Sequence, residues 1–168
     1  VFFMQNMLRL SNFIIFIKII LLILLTLILL SSYSTISSHD KNNTELVFLM
    51  MISTVGAMFL ISSSSLISFY TSLELQTIPL YIMAAMKRSN NKNTEAGLKY
   101  FILGVTSSCI LLFGISMVYG FSATMSINQL TINTITGNLS IGSLFGLIVI
   151  FIAFLFKISA APFHMWTP

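Results

Sequence analysis

Between Phe13 and Tyr33 the chain carries a single charge, Lys18, close enough to one end of the stretch for its ammonium to reach the headgroups. A helix of about 20 apolar residues, at roughly 1.5 Å each, is what the ~30 Å hydrocarbon layer of a bilayer demands. A backbone in that layer must satisfy its own hydrogen bonds, so the stretch predicts a transmembrane helix. A secretory signal is the alternative. Its apolar core, Ile19 to Leu30, is followed by no Ala-x-Ala cleavage motif, so a retained span is expected.

The rest of the chain has the same character. Hydrophobic residues make up 57% of its 168 residues, and mean hydropathy is +0.99. Lys and Arg number 8 and Asp and Glu 4, or 7% charged, against about 25% in an ordinary soluble domain. That is too little charge to build a water-facing surface, which excludes soluble nucleotide-binding and hydrolase domains. The net charge of +4 is scattered and forms no basic stripe, so no nucleic-acid partner is expected. Cys109 is the one cysteine, so the chain alone forms neither a disulfide nor a CxxC-type metal or cluster site. The Ile, Leu, Phe, Asn, Ser and Met bias suits an A+T-rich coding genome such as an organelle's.

Five spans follow from length. The Ser-, Asn- and charge-bearing segment 34–45 predicts an exposed loop. As one helix, 46–86 would reach about 60 Å, twice the hydrocarbon layer, so it must fold back, and Ser62 to Ser65 are the natural turn. The spans are then 13–33, 46–62, 66–86, 95–121 and 141–168. The uncharged stretch 122–140 reads as a loop. Pro162, lacking an amide hydrogen, predicts a kink or break in the last span. The expected fold is all-α, a polytopic transmembrane bundle in one domain whose last helix is discontinuous near Pro162. Lys87, Arg88 and Lys92 in the loop at 87–93, against none in 122–140, put loops 34–45 and 87–93 on the negative side of the membrane. Asn-x-Ser/Thr matches at Asn42 and Asn138 carry no weight in so Asn- and Ser-rich a chain.

Two charges then stand out. Glu74 lies well inside the third span, near Gln76 and Pro79, where a carboxylate costs about 2.5 to 3.5 kcal/mol on insertion scales. Pro79 frees a backbone carbonyl near position 75 beside it. Lys157 lies deep in the fifth span, ahead of Ser159, Ala160, Ala161 and Pro162. A broken helix at that depth is tolerated only against protein or a wet cavity, and its free backbone groups bind ions or protons. Desolvation disfavours the charged form of a lysine and a nearby carboxylate restores it. Moving the carboxylate therefore switches the lysine, the minimal unit of a proton pump. His164, beyond the break, titrates near neutrality when unperturbed, at about 6.5. Lys99, near the start of the fourth span, is a further candidate, with a stem long enough to snorkel to the headgroups. The plain alternatives are a helix-orienting ion pair at Glu74, interfacial anchors at Lys157 and Trp166, and a hydrogen-bonded structural histidine at His164.

Three motifs occur in order: Ser72-Leu73-Glu74-Leu75-Gln76-Thr77-Ile78-Pro79-Leu80-Tyr81, Thr94-Glu95-Ala96-Gly97-Leu98-Lys99-Tyr100-Phe101-Ile102-Leu103-Gly104, and Phe156-Lys157-Ile158-Ser159-Ala160-Ala161-Pro162-Phe163-His164-Met165-Trp166-Thr167-Pro168. Over about 46–168 they resemble the N-terminal portion of the subunit 2 family of NADH:ubiquinone oxidoreductase, respiratory complex I. That family belongs to the antiporter-like proton-translocating membrane subunits related to Mrp-type cation/proton antiporters.

The resemblance implies proton translocation coupled to electron transfer from NADH to ubiquinone. By motif match, Glu74 is the family's membrane glutamate and Lys157 the lysine of its discontinuous helix, with Lys99 and His164 less central. It implies no cofactor or metal on this chain, with FMN, iron–sulfur clusters and ubiquinone on other subunits. It also implies the other membrane-arm subunits as partners, lipids such as cardiolipin, and a multi-pass place in the mitochondrial inner membrane, with 122–140 toward the intermembrane space. Family members continue past the Trp-x-Pro with further helices, so a separate chain carrying a C-terminal half is expected. An antiporter subunit and a non-pumping scaffold are the alternatives.

Overall fold

The computed structural model describes residues 2–4, 7–36, 42–86, 91–137 and 140–166. Six α-helices dominate: α1 Asn12–Ile36, α2 Asn42–Ser62, α3 Leu66–Ala84, α4 Asn91–Ser122, α5 Ile127–Ile135 and α6 Ile141–Lys157, followed by a 3-10 turn at Phe163–Trp166. The expected helical membrane bundle is therefore the fold. Its one departure is a small antiparallel hairpin, β1 Phe2–Phe3 with β2 Leu8–Arg9. Much of the loop at 34–45, with His39 and Asp40, and Lys87 and Arg88 of the basic loop lie outside the described residues, as do Asn138, Thr167, Pro168 and the side chain of Trp166.

Among the described residues α1, α2 and α4 are long and apolar enough to cross a membrane. The apolar side chains of α1 face outward, with Phe13 and Leu30 each 71% exposed. That is the arrangement of a helix solvated by lipid rather than water. At 19 residues α3 is long enough, about 28 Å, but Glu74, Gln76 and Pro79 lower its hydropathy. At 17 residues α6 is shorter, about 25 Å.

Serines set the helix starts. Ser65 and Ser68 form a reciprocal capping box at α3, Ser68 N–H donating to Ser65 Oγ at 3.2 Å and Ser65 N–H donating to Ser68 Oγ at 3.3 Å. Ser140 caps α6 and Ser126 caps α5, each accepting from a backbone amide in the first turn. The stretch 122–140, read from its composition as a loop, thus contains a capped two-and-a-half-turn helix. Its hydroxyl-rich sequence masks an apolar anchor, buried Leu130.

The Ser62–Ser65 turn is where the fold-back was expected, and it knits one end of the bundle together. Ser64 N–H donates to Met7 O at 2.9 Å, Leu66 N–H to Met125 O at 2.9 Å and Ile127 N–H to Ser64 O at 3.1 Å. The N-terminal hairpin, the α2–α3 turn and the α4–α5 junction therefore share a side, as alternating spans require.

The helices associate as two tight couples, α2 with α3 and α4 with α6, joined by the contact of α3 with α4. Small residues permit the close approach. A Cβ on Gly146 would stand 2.8 Å from Val118 Cγ2 and 3.0 Å from Gly114 O, and one on Gly56 would stand 2.6 Å from Gln76 N. Around the seam Leu111, Ile115 and Ala153 are fully buried beneath Leu66, Tyr70, Leu73, Ile150 and Phe154.

The last span breaks earlier than Pro162. Ile158 caps α6 and Ser159 takes a left-handed conformation, φ 55°. Ser159 N–H donates to Phe156 O at 3.1 Å and Ala160 N–H to Leu155 O at 3.0 Å. These are the two bonds of a Schellman motif, so the helix stops at Lys157 and the proline falls in the turn beyond.

Candidate functional site

The antiparallel register of α4 and α6 sets the depth of Lys157. Gly142 lies against Phe121, Gly146 against Val118 and Ile150 against Gly114, and Ala153 packs with Leu111 and Ile115. One turn past Ala153, Lys157 ends its helix near the level of Ser107, where α4 still has about 16 more residues, some 24 Å, to run. The ammonium is thus presented at the tip of a helix about half as long as its neighbour, 17 residues against 32. The end of a helix is where its dipole favours a cation.

Glu74 stands one residue from the midpoint of α3, which faces α4 across the seam. Lys157 Nζ and Glu74 Oε1 are 3.7 Å apart, with side chains 15% and 23% exposed. Both atoms are buried, and neither has a hydrogen-bond partner among the described residues. At 3.7 Å the contact is an ion pair too long for a hydrogen bond.

The magnitudes nearly cancel. At an effective dielectric near 20 the Coulomb attraction at this separation is about 4 kcal/mol. Taking a carboxylate and an ammonium out of water costs several kcal/mol per ion. Transfer of one proton from Lys157 to Glu74 gives a neutral acid and a neutral amine and removes most of that cost. Small changes in distance or in a third charge therefore shift the balance between attraction and desolvation.

The structure brings Glu74 and Lys157 together and leaves Lys99 elsewhere. Lys99 Nζ bonds Glu95 Oε1 at 2.5 Å, one turn away on α4, with both side chains about two-thirds exposed. His164 lies past the break, exposed in the 3-10 turn and engaged in an interaction of its own. Among the described residues no cluster of three His, Cys, Asp or Glu is placed to hold a metal ion.

Sequence reasoning passed over the side chains around the carboxylate. Tyr70, Thr77 and Tyr81 lie at i−4, i+3 and i+7 from Glu74, on one face of α3. Tyr70 packs on the seam cluster, Thr77 Oγ1 donates to Glu74 O at 3.4 Å, and Tyr81 is 6% exposed. The helical spacing from Glu74 was the available signal.

Comparison with known proteins agrees with this geometry. The profile of the family described as NADH:quinone oxidoreductase/Mrp antiporter, TM, matches residues 63–168, more than half of the chain. The chain is 42% identical over 168 residues, 99% of its length, to an NADH-quinone oxidoreductase subunit N of Bartonella bacilliformis, and covers 34% of that protein. It is 41% identical over 170 residues, again 99% of its length, to NADH-ubiquinone oxidoreductase chain 2 of Oenothera berteroana, covering 35% of it. The chain thus spans about a third of the length of these relatives.

Among solved structures, respiratory complex I from Thermus thermophilus with bound aureothin superposes on 74% of the chain and 27% of its own, with TM-score 0.63 and 27% identity. The Mrp complex from Dietzia superposes on 70% of the chain and 22% of its own, with TM-score 0.64, and at 23% identity speaks for the fold alone. With the profile covering both residues of the seam pair, the chain belongs to the NADH:quinone oxidoreductase/Mrp antiporter transmembrane family.

Proposed function

We propose that this chain is part of a membrane-arm subunit of an NADH:quinone oxidoreductase and takes part in proton translocation coupled to electron transfer from NADH to quinone. The observation that carries the reading is the 3.7 Å pair of Glu74 Oε1 and Lys157 Nζ, two buried atoms at the meeting of two helix couples with no hydrogen-bond partner among the described residues. The charge state of such a pair depends on its separation and on the charges around it. An electrostatic or conformational event elsewhere in the complex, passed through neighbouring subunits, tips it. Glu74 takes the proton when the pair separates or neutralises and releases it when Lys157 recharges.

The redox steps in this reading belong to other subunits, which carry FMN, iron–sulfur clusters and the quinone site. The partners are the remaining membrane-arm subunits, a further stretch of polypeptide corresponding to the rest of the relatives, on this chain or a separate one, and bilayer lipid such as cardiolipin. The match to a plant chain 2 supports a mitochondrial inner membrane, with the Ser126 end toward the intermembrane space. The catalytic assignment of Lys99 is weaker, because its pairing with Glu95 on an exposed face explains it without a role in the path. His164 remains a proton carrier beyond the helix break.

The test is Glu74→Gln in the assembled complex, with Lys99→Ala as comparison, measuring proton uptake by sealed membrane vesicles oxidising NADH. Glu74→Gln should lower proton uptake and quinone reduction by about tenfold or more, the scale of a lost acid–base group, and Lys99→Ala far less. Equal activities in complexes of equal abundance would overturn the assignment. The family's description also names Mrp antiporters, which supplies the second reading, a cation/proton antiporter subunit. It predicts sodium-driven proton release by vesicles in the absence of NADH.

A further inference from the structure

We propose that the groove between the N-terminal hairpin and helices α2 and α3 is a binding site for one anionic phospholipid, with an acyl chain along α3 and the phosphate on Arg9. The inference rests on the reading that bilayer lipid is among the partners of this chain, gives that lipid a place, and is independent of the proton chemistry at Glu74.

The hairpin is pinned over the two helices. The Met7 carbonyl accepts from Ser64 N–H at 2.9 Å and from Ser68 Oγ at 3.0 Å, and Leu8 bridges to Ser63. Met4 reverses the chain in a left-handed conformation, φ 49°, and its carbonyl accepts from Met7 N–H at 3.0 Å. A methionine adopts that backbone only at a cost, which these bonds offset. Beneath the hairpin lies a cavity of about 470 Å³, walled by Met4, Met7 and Leu8, by Phe59 of α2, and by Ile67 and Leu75 of α3. That volume is ordinary for a small-molecule site.

The shape and chemistry of the groove suit hydrocarbon. From Ile67 to Leu75 it follows α3 for about 12 Å, most of the ~15 Å of one leaflet's apolar layer. It starts at the level of the Ser62–Ser65 turn and runs inward, the direction an acyl chain takes. Ser68, Thr71 and Ser72 also line it, but each hydroxyl proton is given to a backbone carbonyl. Ser68 serves Met7 O as above, Thr71 Oγ1 donates to Ile67 O at 3.1 Å and Ser72 Oγ to Ser68 O at 2.7 Å. The wall therefore offers a quinone carbonyl no side-chain donor, whereas a hydrocarbon chain needs none. Two unbranched methionines at the mouth adapt to a chain of variable shape.

The headgroup follows from charge. Arg9 comes directly after Leu8, exposed at the same end of the bundle, with an arm long enough to sweep the headgroup layer. Lys18 lies six residues along α1 from Asn12 and reaches the same layer. Among the described residues neither makes an ion pair, and no carboxylate stands at this end: Glu45 and Glu95 lie near the starts of α2 and α4, at the other end, and Glu74 is inside. The loop charge bias puts this end on the side of the membrane where cations are scarce. Two unmatched cations there complement a lipid phosphate, to which arginine donates paired hydrogen bonds.

The test uses the complete complex, delipidated in detergent and given a phospholipid carrying a diazirine in its acyl chain, either phosphatidylglycerol or phosphatidylcholine. Peptides labelled on illumination are mapped by mass spectrometry. Labelling of Met7, Phe59 or Leu75 should be about fivefold stronger from phosphatidylglycerol at equal concentration, the worth of one arginine at a membrane surface. The lipid-exposed stretch from Ile19 to Leu30 should be labelled alike by both probes and is the reference. Arg9→Gln should remove the preference, and Thr71→Trp, which puts an indole into the groove, should remove the labelling by both. Equal labelling of the groove by the two headgroups in the parent complex would reduce it to ordinary bilayer contact and overturn the proposal. A silent groove beside a labelled α1 would also overturn it, by showing that polypeptide or another ligand fills the space. Either result leaves the pumping reading, which Glu74→Gln tests separately, where it stands.

Discussion

At the residue scale the seam pair is decided by solvation. Removing one member strands the other as an uncompensated buried charge, so Lys157→Leu should destabilise the bundle by about 3 kcal/mol or more. The double replacement Glu74→Leu with Lys157→Leu should recover most of that loss, because two apolar groups of similar volume need no pairing. Thermal melting of the purified complex in detergent measures the cycle, and additive losses would show that the two side chains do not sense each other. Both charges were legible in the sequence for the same reason that they matter: nothing else in so apolar a chain justifies them. The pairing of Lys99 was also written there, four residues from Glu95. Tyr81 was less legible, because a buried aromatic residue in a membrane helix needs no explanation until Gly104 is seen to make room for its oxygen.

At the element scale the sequence announced the spans by their apolar runs and the fold-back by four serines. It was silent on how α6 ends. A proline is a visible stop signal, but Ser159 reaches the left-handed region with no glycine to mark it, and the Schellman bonds close the helix three residues before the proline does. Helix α5 escaped notice because threonines and asparagines are as many as its apolar residues, although Ser126 stands at its start as a cap. The tight packing of α4 on α6 was carried by two glycines whose importance lies in what they lack. Gly146→Leu should push α6 off α4, since backbone atoms of Val118 and Gly114 stand within 3.0 Å of the first added carbon. Overpacking of this kind costs about 1 to 3 kcal/mol. The variant should melt lower and lose proton uptake together, because Lys157 rides on the displaced helix. Unchanged melting would mean that the couple is looser than its geometry states.

At the scale of the whole molecule, Leu8 bridges to Ser63 and Ser65 to Ser126, so three connections distant in sequence emerge on one side. Lys92, at the other end of α4, must then emerge on the opposite side. With Cys109 replaced by serine, Ser126→Cys should react with a membrane-impermeant thiol reagent from the face opposite to that labelling Lys92→Cys. Labelling of both from one face would refute the alternating topology. Charge bias in the loops is the sequence's signal for which face is which, and apolar length is its signal for five crossings, of which three helices among the described residues have the length and hydropathy of a span. Neither contains the partition of the bundle into couples, which depends on where glycines on different helices coincide in space.

That partition has a mechanical consequence. Glu74 is fixed to one slab, α2 with α3, and Lys157 to the other, α4 with α6, so their separation gauges any slip along the fault between them. Widening the gap from 3.7 Å by about 1 Å weakens the attraction by roughly 1 kcal/mol, a factor of about five in any equilibrium that depends on it. A displacement smaller than the radius of a water molecule, imposed from far away, is thereby converted into a chemical decision.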